Sequence, residues 1–204
     1  NRPMHEEGAV LIDDLADEIC VGRTTINGDL KKLREMLESY QVGIVGRTNT
    51  GIRLEGDELS IRLLVLEQMY DRVFESFLLD DDLESMVNEY CQEYGLDYMT
   101  TQYFMRSYTV MIDRVLNDHP LNSLQEKYHE LEQTTAYRFA EKIVMRTMEM
   151  FQVRIPMEEI LFLSLPIAGM RTPMNREDKQ VLEISEEVAE LVVKILNRIA
   201  YDMN

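Results

Sequence analysis

The sequence predicts a mainly α-helical fold: two short helices and a small β-hairpin at the N-terminal end, then an all-α helical bundle. Three observations carry this. The 204 residues include only 9 Gly and 5 Pro, too few turn formers for a sandwich of many short strands. Apolar residues recur at helical spacing along most of the chain, which gathers them on one face of each segment. One stretch, 42–54, departs from that spacing. There Val42, Ile44 and Val45 favour strand, Thr48-Asn49-Thr50-Gly51 reads as a turn, and Ile52-Arg53-Leu54 alternates.

Each element follows from its own residues. Leu11, Ile12, Leu15, Ala16 and Ile19 form a short amphipathic helix that Val21-Gly22 breaks. A second helix, about 23–39, turns Ile26, Leu30, Leu33 and Leu37 inward, and Gly28 within it costs about 1 kcal/mol relative to Ala. After the hairpin, Asp57 is placed to cap a long helix over about 57–77. Further helices are expected near 82–94, 101–116, 122–132, 135–151, 157–168 and 179–202. Residues 80–82 and 117–120 are polar breaks, and 171–176, which carries Pro173, is a linker. The 14 Met and no Trp suggest a deformable core, with Met145, Met148, Met150 and Met157 as filler.

Charge narrows the function classes. With 45% hydrophobic and 29% charged residues the chain is globular rather than disordered, and it is long enough for a core without disulfides or metal. The net charge of -17 excludes a general nucleic-acid coat and an anionic membrane surface, both of which need a basic field. The acidity is uneven: residues 56–204 carry -14, whereas residues 23–53 hold six basic and three acidic side chains, a local +3. The longest apolar run, 160–170, is too short to span a bilayer. Cys20 and Cys91 make no CxxC, which fits a reducing, cytoplasmic location.

Catalytic and metal signatures are weak. Asp80-Asp81-Asp82 and Glu186-Glu187 lack the Gly and closing Glu of a calcium loop. Glu158 and Glu159 are adjacent on a helix and so point in different directions. There is no phosphate-binding Gly loop, no HExxH and no nucleophile motif, so neither a cofactor nor a metal is expected.

Two short helices, a tight turn and a hairpin are the order of a winged helix-turn-helix. The second helix of such a unit lies in the major groove, led by its N-terminal side chains. Those are Arg23, Thr24, Thr25 and Asn27: Arg can pair bidentately with guanine, Asn with adenine, and Thr can meet a phosphate or a thymine methyl. Lys31, Lys32 and Arg34 would suit phosphates, and Arg47 and Asn49 sit at the hairpin tip that would touch backbone or minor groove. Basic residues that merely solvate a surface helix would give the same local charge.

The run Leu15-Ala-Asp-Glu18, Val21-Gly-Arg-Thr-Thr-Ile-Asn-Gly-Asp-Leu-Lys-Lys-Leu-Arg34, then Asn49-Thr-Gly-Ile-Arg-Leu-Glu-Gly-Asp-Glu58 and Arg62, resembles the helix-turn-helix of bacterial regulators that carry phosphotransferase-system (PTS) regulation domains. These include mannitol- and lichenan-type operon activators, the related antiterminators and the Mga-like regulators. The resemblance covers about 9–62. It departs at Gly22, where a Ser is usual, and at Gly28, where a basic residue is usual. The helix that normally precedes Leu11 is mostly absent and the chain opens on Asn1, so the unit reads as cut at its N-terminal end.

Residues from about 65 to 173 resemble one PTS regulation domain, a helical bundle that pairs with its copy in a homodimer. Phosphorylation of its histidines by phosphotransferase-system proteins would shift that interface through added charge. One family His stands seven residues before an Arg; in Ser107-Tyr-Thr-Val-Met-Ile-Asp-Arg114 that position is Ser107. The other follows the stretch that begins Pro156-Met-Glu-Glu159, and its position is Pro166. The resemblance therefore implies a regulation domain without its usual phosphoacceptors, with His119 and His129 as alternative acceptors outside the motif. The more ordinary roles are a helix-end polar residue for His119 and a solvated face for His129.

The expected division is 1–58 for the winged helix-turn-helix, 59–173 for the regulation domain, and 174–204 for a linker and the opening helix of a second, truncated regulation domain. The function this implies is a cytoplasmic, non-enzymatic transcriptional regulator of a sugar operon that binds operator DNA. A dimerisation scaffold that no longer binds DNA is the alternative, and a helical enzyme domain a more distant one.

Overall fold

A computed structural model describes residues 11–169 apart from 19, 21, 48–50 and 76–78. The linker at 171–176 and the helix expected at 179–202 lie outside the described residues. The described residues divide into two compact units, one up to Glu75 and one after it.

In the first unit, α1 (Ile12–Glu18) packs on α2 (Arg23–Glu38), and the antiparallel strands β1 (Gly43–Arg47) and β2 (Gly51–Glu55) follow. Ile26, Leu30, Leu33 and Leu37 are buried on α2, as their spacing predicts, against a core that also takes Ile12, Ala16, Val42, Ile52 and Leu54. Gly46 pairs with Ile52 at φ +123°, and a Cβ there would stand 2.1 Å from the Gly51 carbonyl oxygen, so only glycine fits that step of the hairpin.

Asp57 is the N-cap expected: its carboxylate accepts from the Ser60 amide at 3.1 Å and the Ser60 hydroxyl at 2.6 Å. The single helix expected over 57–77 is instead three segments: α3 (Glu58–Leu64), a π-helical turn (Val65–Met69) and α4 (Tyr70–Val73). The turn is tied to the end of α2, because the Tyr40 hydroxyl donates to Glu67 at 2.9 Å and accepts from Gln68 at 2.7 Å. Arg62 is wholly buried, and its Nε meets Glu58 Oε1 at 2.8 Å.

The second unit is a bundle of α5 (Asp81–Tyr94), α6 (Tyr98–Leu116), α8 (Thr135–Phe151) and α9 (Glu158–Ser164). Asp80, Asp97 and Thr134 cap α5, α6 and α8 by accepting backbone amides, and Gly95 ends α5 at φ +79°. Phe104, Val87, Phe139, Ile143, Val144, Ile160, Phe162 and Leu163 fill its core.

Three further expectations need correction. The helix expected at 122–132 is only α7 (Glu126–His129) followed by a 3-10 turn (Glu130–Gln133), because residues one i+3 step apart, such as buried Tyr128 and Leu131, suit either helix type. The helix expected to run to 168 ends at Ser164. Pro166 has no amide to continue it, and the Leu165 amide turns to Phe162 instead. Methionine is not the main core filler. Met69, Met86 and Met111 are buried, but Met145 is exposed, since the buried stripe of α8 runs through Ala136, Phe139, Ala140, Ile143, Val144 and Thr147, and Met157 is exposed just ahead of α9.

Candidate nucleic-acid interface

The apolar stripe of α2 leaves the opposite face to solvent. Arg23, Thr24, Thr25, Asn27, Gly28, Lys31, Lys32 and Arg34 are all exposed. Helical spacing sets Arg23 or Thr24, Asn27 and Lys31 one above another on that face. These are the side chains the sequence selected, and the fold gathers them on one helix.

Three of them are already engaged. The Arg23 guanidinium is bidentate to Asp13 of α1, with Nε and Nη2 each 2.6 Å from a carboxylate oxygen. That hydrogen-bonded pairing holds the Asp13 carboxyl below its usual range and raises Arg23 further. The Asn27 amide nitrogen donates to the Arg23 carbonyl at 2.8 Å, so its side chain lies back along its own helix. Lys32 stands 3.6 Å from Asp29. Arg47 occupies the last position of β1, and Asn49 lies outside the described residues. Gly22 precedes α2 and supplies the carbonyl for the Ile26 amide at 3.1 Å, which makes it the N-cap residue.

In the bundle, Ser107 is 1% exposed on α6 and its hydroxyl donates to the Tyr103 carbonyl at 2.9 Å. Pro166 is buried in the turn after α9. His119 is half-buried just past α6, where its amide closes the helix end on the Arg114 carbonyl at 2.8 Å. His129 is exposed, and its Nδ1 lies 2.6 Å from Glu132, which raises the imidazole pKa.

Residues 3–68 match the Mga helix-turn-helix domain, and residues 83–169 match the PRD domain. The chain joins an Mga helix-turn-helix domain to a PRD domain. Among curated proteins it is similar to a probable licABCH operon regulator of Bacillus subtilis (strain 168), 20% identical over 92% of this chain and 32% of that protein. It is likewise similar to the transcriptional regulator ManR of the same organism, 23% identical over 92% of this chain and 31% of that protein. The chain thus spans about a third of the length of these relatives. No solved structure matches it.

Within the PRD domain, Glu159, one of the adjacent carboxylates in the sequence, has a structural role that its spacing did not show. It is fully buried and accepts the Leu121 amide at 2.8 Å, pinning the segment after α6 to α9. Tyr108 and Thr147 form a second buried tie. The Thr147 hydroxyl donates to the Ile143 carbonyl at 2.8 Å, so the Tyr108 hydroxyl must be the donor in their 2.7 Å contact. Burial pushes the Tyr108 phenol up to about 12 and the Cys91 thiol up to about 11. Among the described residues, no group of His, Cys, Asp and Glu is placed to hold a metal ion, and no helix is long and apolar enough to cross a membrane.

Proposed function

We propose that this chain is the operator-reading and regulatory part of a transcriptional regulator of a sugar-utilisation operon, acting in the cytoplasm and without catalytic residues of its own. The observation that carries it is the exposed polar face of α2, which lies within the 23–53 window and its local excess of basic charge. Arg23, Thr24, Thr25 and Asn27 would approach base edges, and Lys31, Lys32, Arg47 and Asn49 the phosphates or the minor groove. The proposed division keeps 1–58 for DNA and 59–173 for regulation and homodimerisation.

Binding to DNA selected from a random pool, followed by fluorescence anisotropy across salt concentrations, tests this. The expected result is affinity that falls with salt, and an Arg23→Ala variant weakened by about 1–3 kcal/mol. Equal, salt-insensitive binding of both chains overturns it. A second reading, a dimerisation scaffold that has lost DNA binding, draws on Gly22, on Gly28 and on the folded-back Asn27. It predicts no selection from the pool.

The regulatory half of the proposal is that this PRD domain is a non-phosphorylated copy, with phosphocontrol by phosphotransferase-system proteins exercised elsewhere in a longer regulator. Ser107 is buried and internally bonded, and Pro166 has no group that accepts a phosphoryl. Incubation with the phosphorelay proteins and phosphoenolpyruvate, then mass spectrometry of the folded chain, should find no phosphohistidine. A stable one at His119 or His129 overturns this half.

A further inference from the structure

We infer that Asp13 is a positioning residue for sequence reading: it holds the Arg23 guanidinium so that its outer edge faces one guanine. This rests on the proposal that α2 reads DNA.

A guanidinium has five N–H bonds and two edges that can each meet a planar acceptor pair. Asp13 takes the inner edge, Nε with Nη2, at 2.6 Å on both contacts. The outward Nη2 hydrogen and the Nη1 hydrogen beside it form the end-on fork that matches guanine O6 and N7. The carboxylate therefore occupies the edge that base reading does not need. It leaves free the edge that base reading does need.

The fold sets this up across the turn. Asp13 lies in the first turn of α1 and Arg23 is the first residue of α2, ten positions apart in sequence. The two helices pack through buried Ile12 and Ala16 on one and Ile26 and Leu30 on the other, so the carboxylate is carried on a fixed neighbour rather than on a loop. A long side chain at a helix N-terminus otherwise gives up its rotamer freedom when it binds. Fixing it beforehand removes that cost and narrows the directions in which it can point.

The pair is solvent-exposed, with side-chain exposures of 62% and 54%. An exposed pair adds little to folding stability, so its effect should be read in recognition and not in unfolding.

Asp13→Asn is the test, made in the full chain beside Asp13→Glu and Arg23→Lys. Each is put through selection from random DNA and then anisotropy on the selected site and on versions changed at single base pairs. Loss of the carboxylate also removes a negative charge near phosphates, which raises affinity for all DNA alike. The ratio between the selected site and its single-base variants cancels that uniform gain.

The expected result is that the parent chain prefers guanine at one position by about tenfold or more, and that Asp13→Asn loses most of this preference there alone. Arg23→Lys should lose it as well, and Asp13→Glu should keep part of it. If Asp13→Asn keeps the parent's preference while binding all sequences more tightly, Asp13 only shields Arg23 from DNA and the inference fails. If the parent selects no sequence at all, the DNA-reading proposal fails and takes this inference with it.

Discussion

The helix-turn-helix unit and the bundle use polar side chains in opposite ways. On α2 the hydroxyls and cations stand outside an apolar stripe: Thr24, Thr25, Lys31 and Arg34 are exposed while Ile26, Leu30, Leu33 and Leu37 are buried. In the bundle four hydroxyls point inward instead. Ser107, Thr109, Thr147 and Ser164 are buried, and each donates to the carbonyl four residues earlier in its own helix. A hydroxyl satisfied that way keeps its helix intact at little gain, and at a buried position only a neighbour inside the bundle, as Tyr108 is for Thr147, can reach its lone pairs. An exposed one is hydrated and can exchange water for a ligand. Substitutions in the two regions should therefore separate cleanly, bundle changes appearing in stability and α2 changes in binding.

The largest effect expected is from Glu159→Ala. Its carboxylate is fully buried and accepts the Leu121 amide, so truncation strands a buried donor and leaves a hole beside α9. The cost should be about 3 kcal/mol, read as faster hydrogen exchange of amides in α6, α8 and α9 with exchange in α2 unchanged. Protection lost equally in both units would break the comparison. Thr147→Val should follow at about 1–2 kcal/mol, because it takes away the acceptor of the Tyr108 hydroxyl while keeping the shape of the side chain. Titration of Tyr108 by ultraviolet difference spectroscopy gives an independent check: its phenol, held at about 12 by burial and lowered by the Thr147 hydrogen bond, should move up and not down in the variant.

Residues that repeat at helical spacing announced most of this architecture. The α2 stripe, the hairpin at 43–55 and the Asp57 cap each rest on a local pattern, and each is where the pattern places it. What depends on contacts far apart in sequence was not legible. Glu58 and Arg62 look like an exposed i, i+4 pair, yet Arg62 is wholly buried. Glu158 and Glu159 look alike, and only the fold brings Leu121, 38 residues away, against one of them. The π-helical turn at Val65–Met69 inserts into an unbroken apolar pattern that gives no sign of the change in pitch. At the candidate site, the exposed face of α2 follows from the stripe behind it, whereas the Arg23–Asp13 pair crosses a turn and belongs to no local motif.

A smaller effect of opposite sign is expected on α2. A Cβ at Gly28 meets nothing within 4 Å, and the position is exposed, so glycine is not required there by packing. Gly28→Lys should stabilise the helix by about 0.5–1 kcal/mol and add one phosphate contact. The slope of log affinity against log salt should then steepen by about 1, with affinity for all sequences rising together. A gain in stability with an unchanged salt slope would mean that this face of α2 does not approach DNA.

The smallest effect concerns the bundle surface, where the comparison predicts little dependence of stability on any polar group. His129 is the most favourable case for an exception. Its Nδ1 lies 2.6 Å from Glu132 at the junction of α7 and the 3-10 turn, and the hydrogen bond to that carboxylate raises its pKa above 6.5. A base whose pKa is higher in the folded chain binds its proton more tightly there, so folding is favoured where the proton is bound. The contribution is therefore fully present below pH 6.5 and is lost as the pH rises through the raised folded value. His129→Gln should lower the thermal midpoint slightly at acidic pH and leave it unchanged above the folded pKa. The two side chains are 46% and 43% exposed, so water and salt screen most of the attraction, and the shift should shrink further at high salt. A large, salt-insensitive loss in the variant would show that the surface of the bundle carries structural weight after all, and the contrast with α2 would then rest on its buried hydroxyls alone.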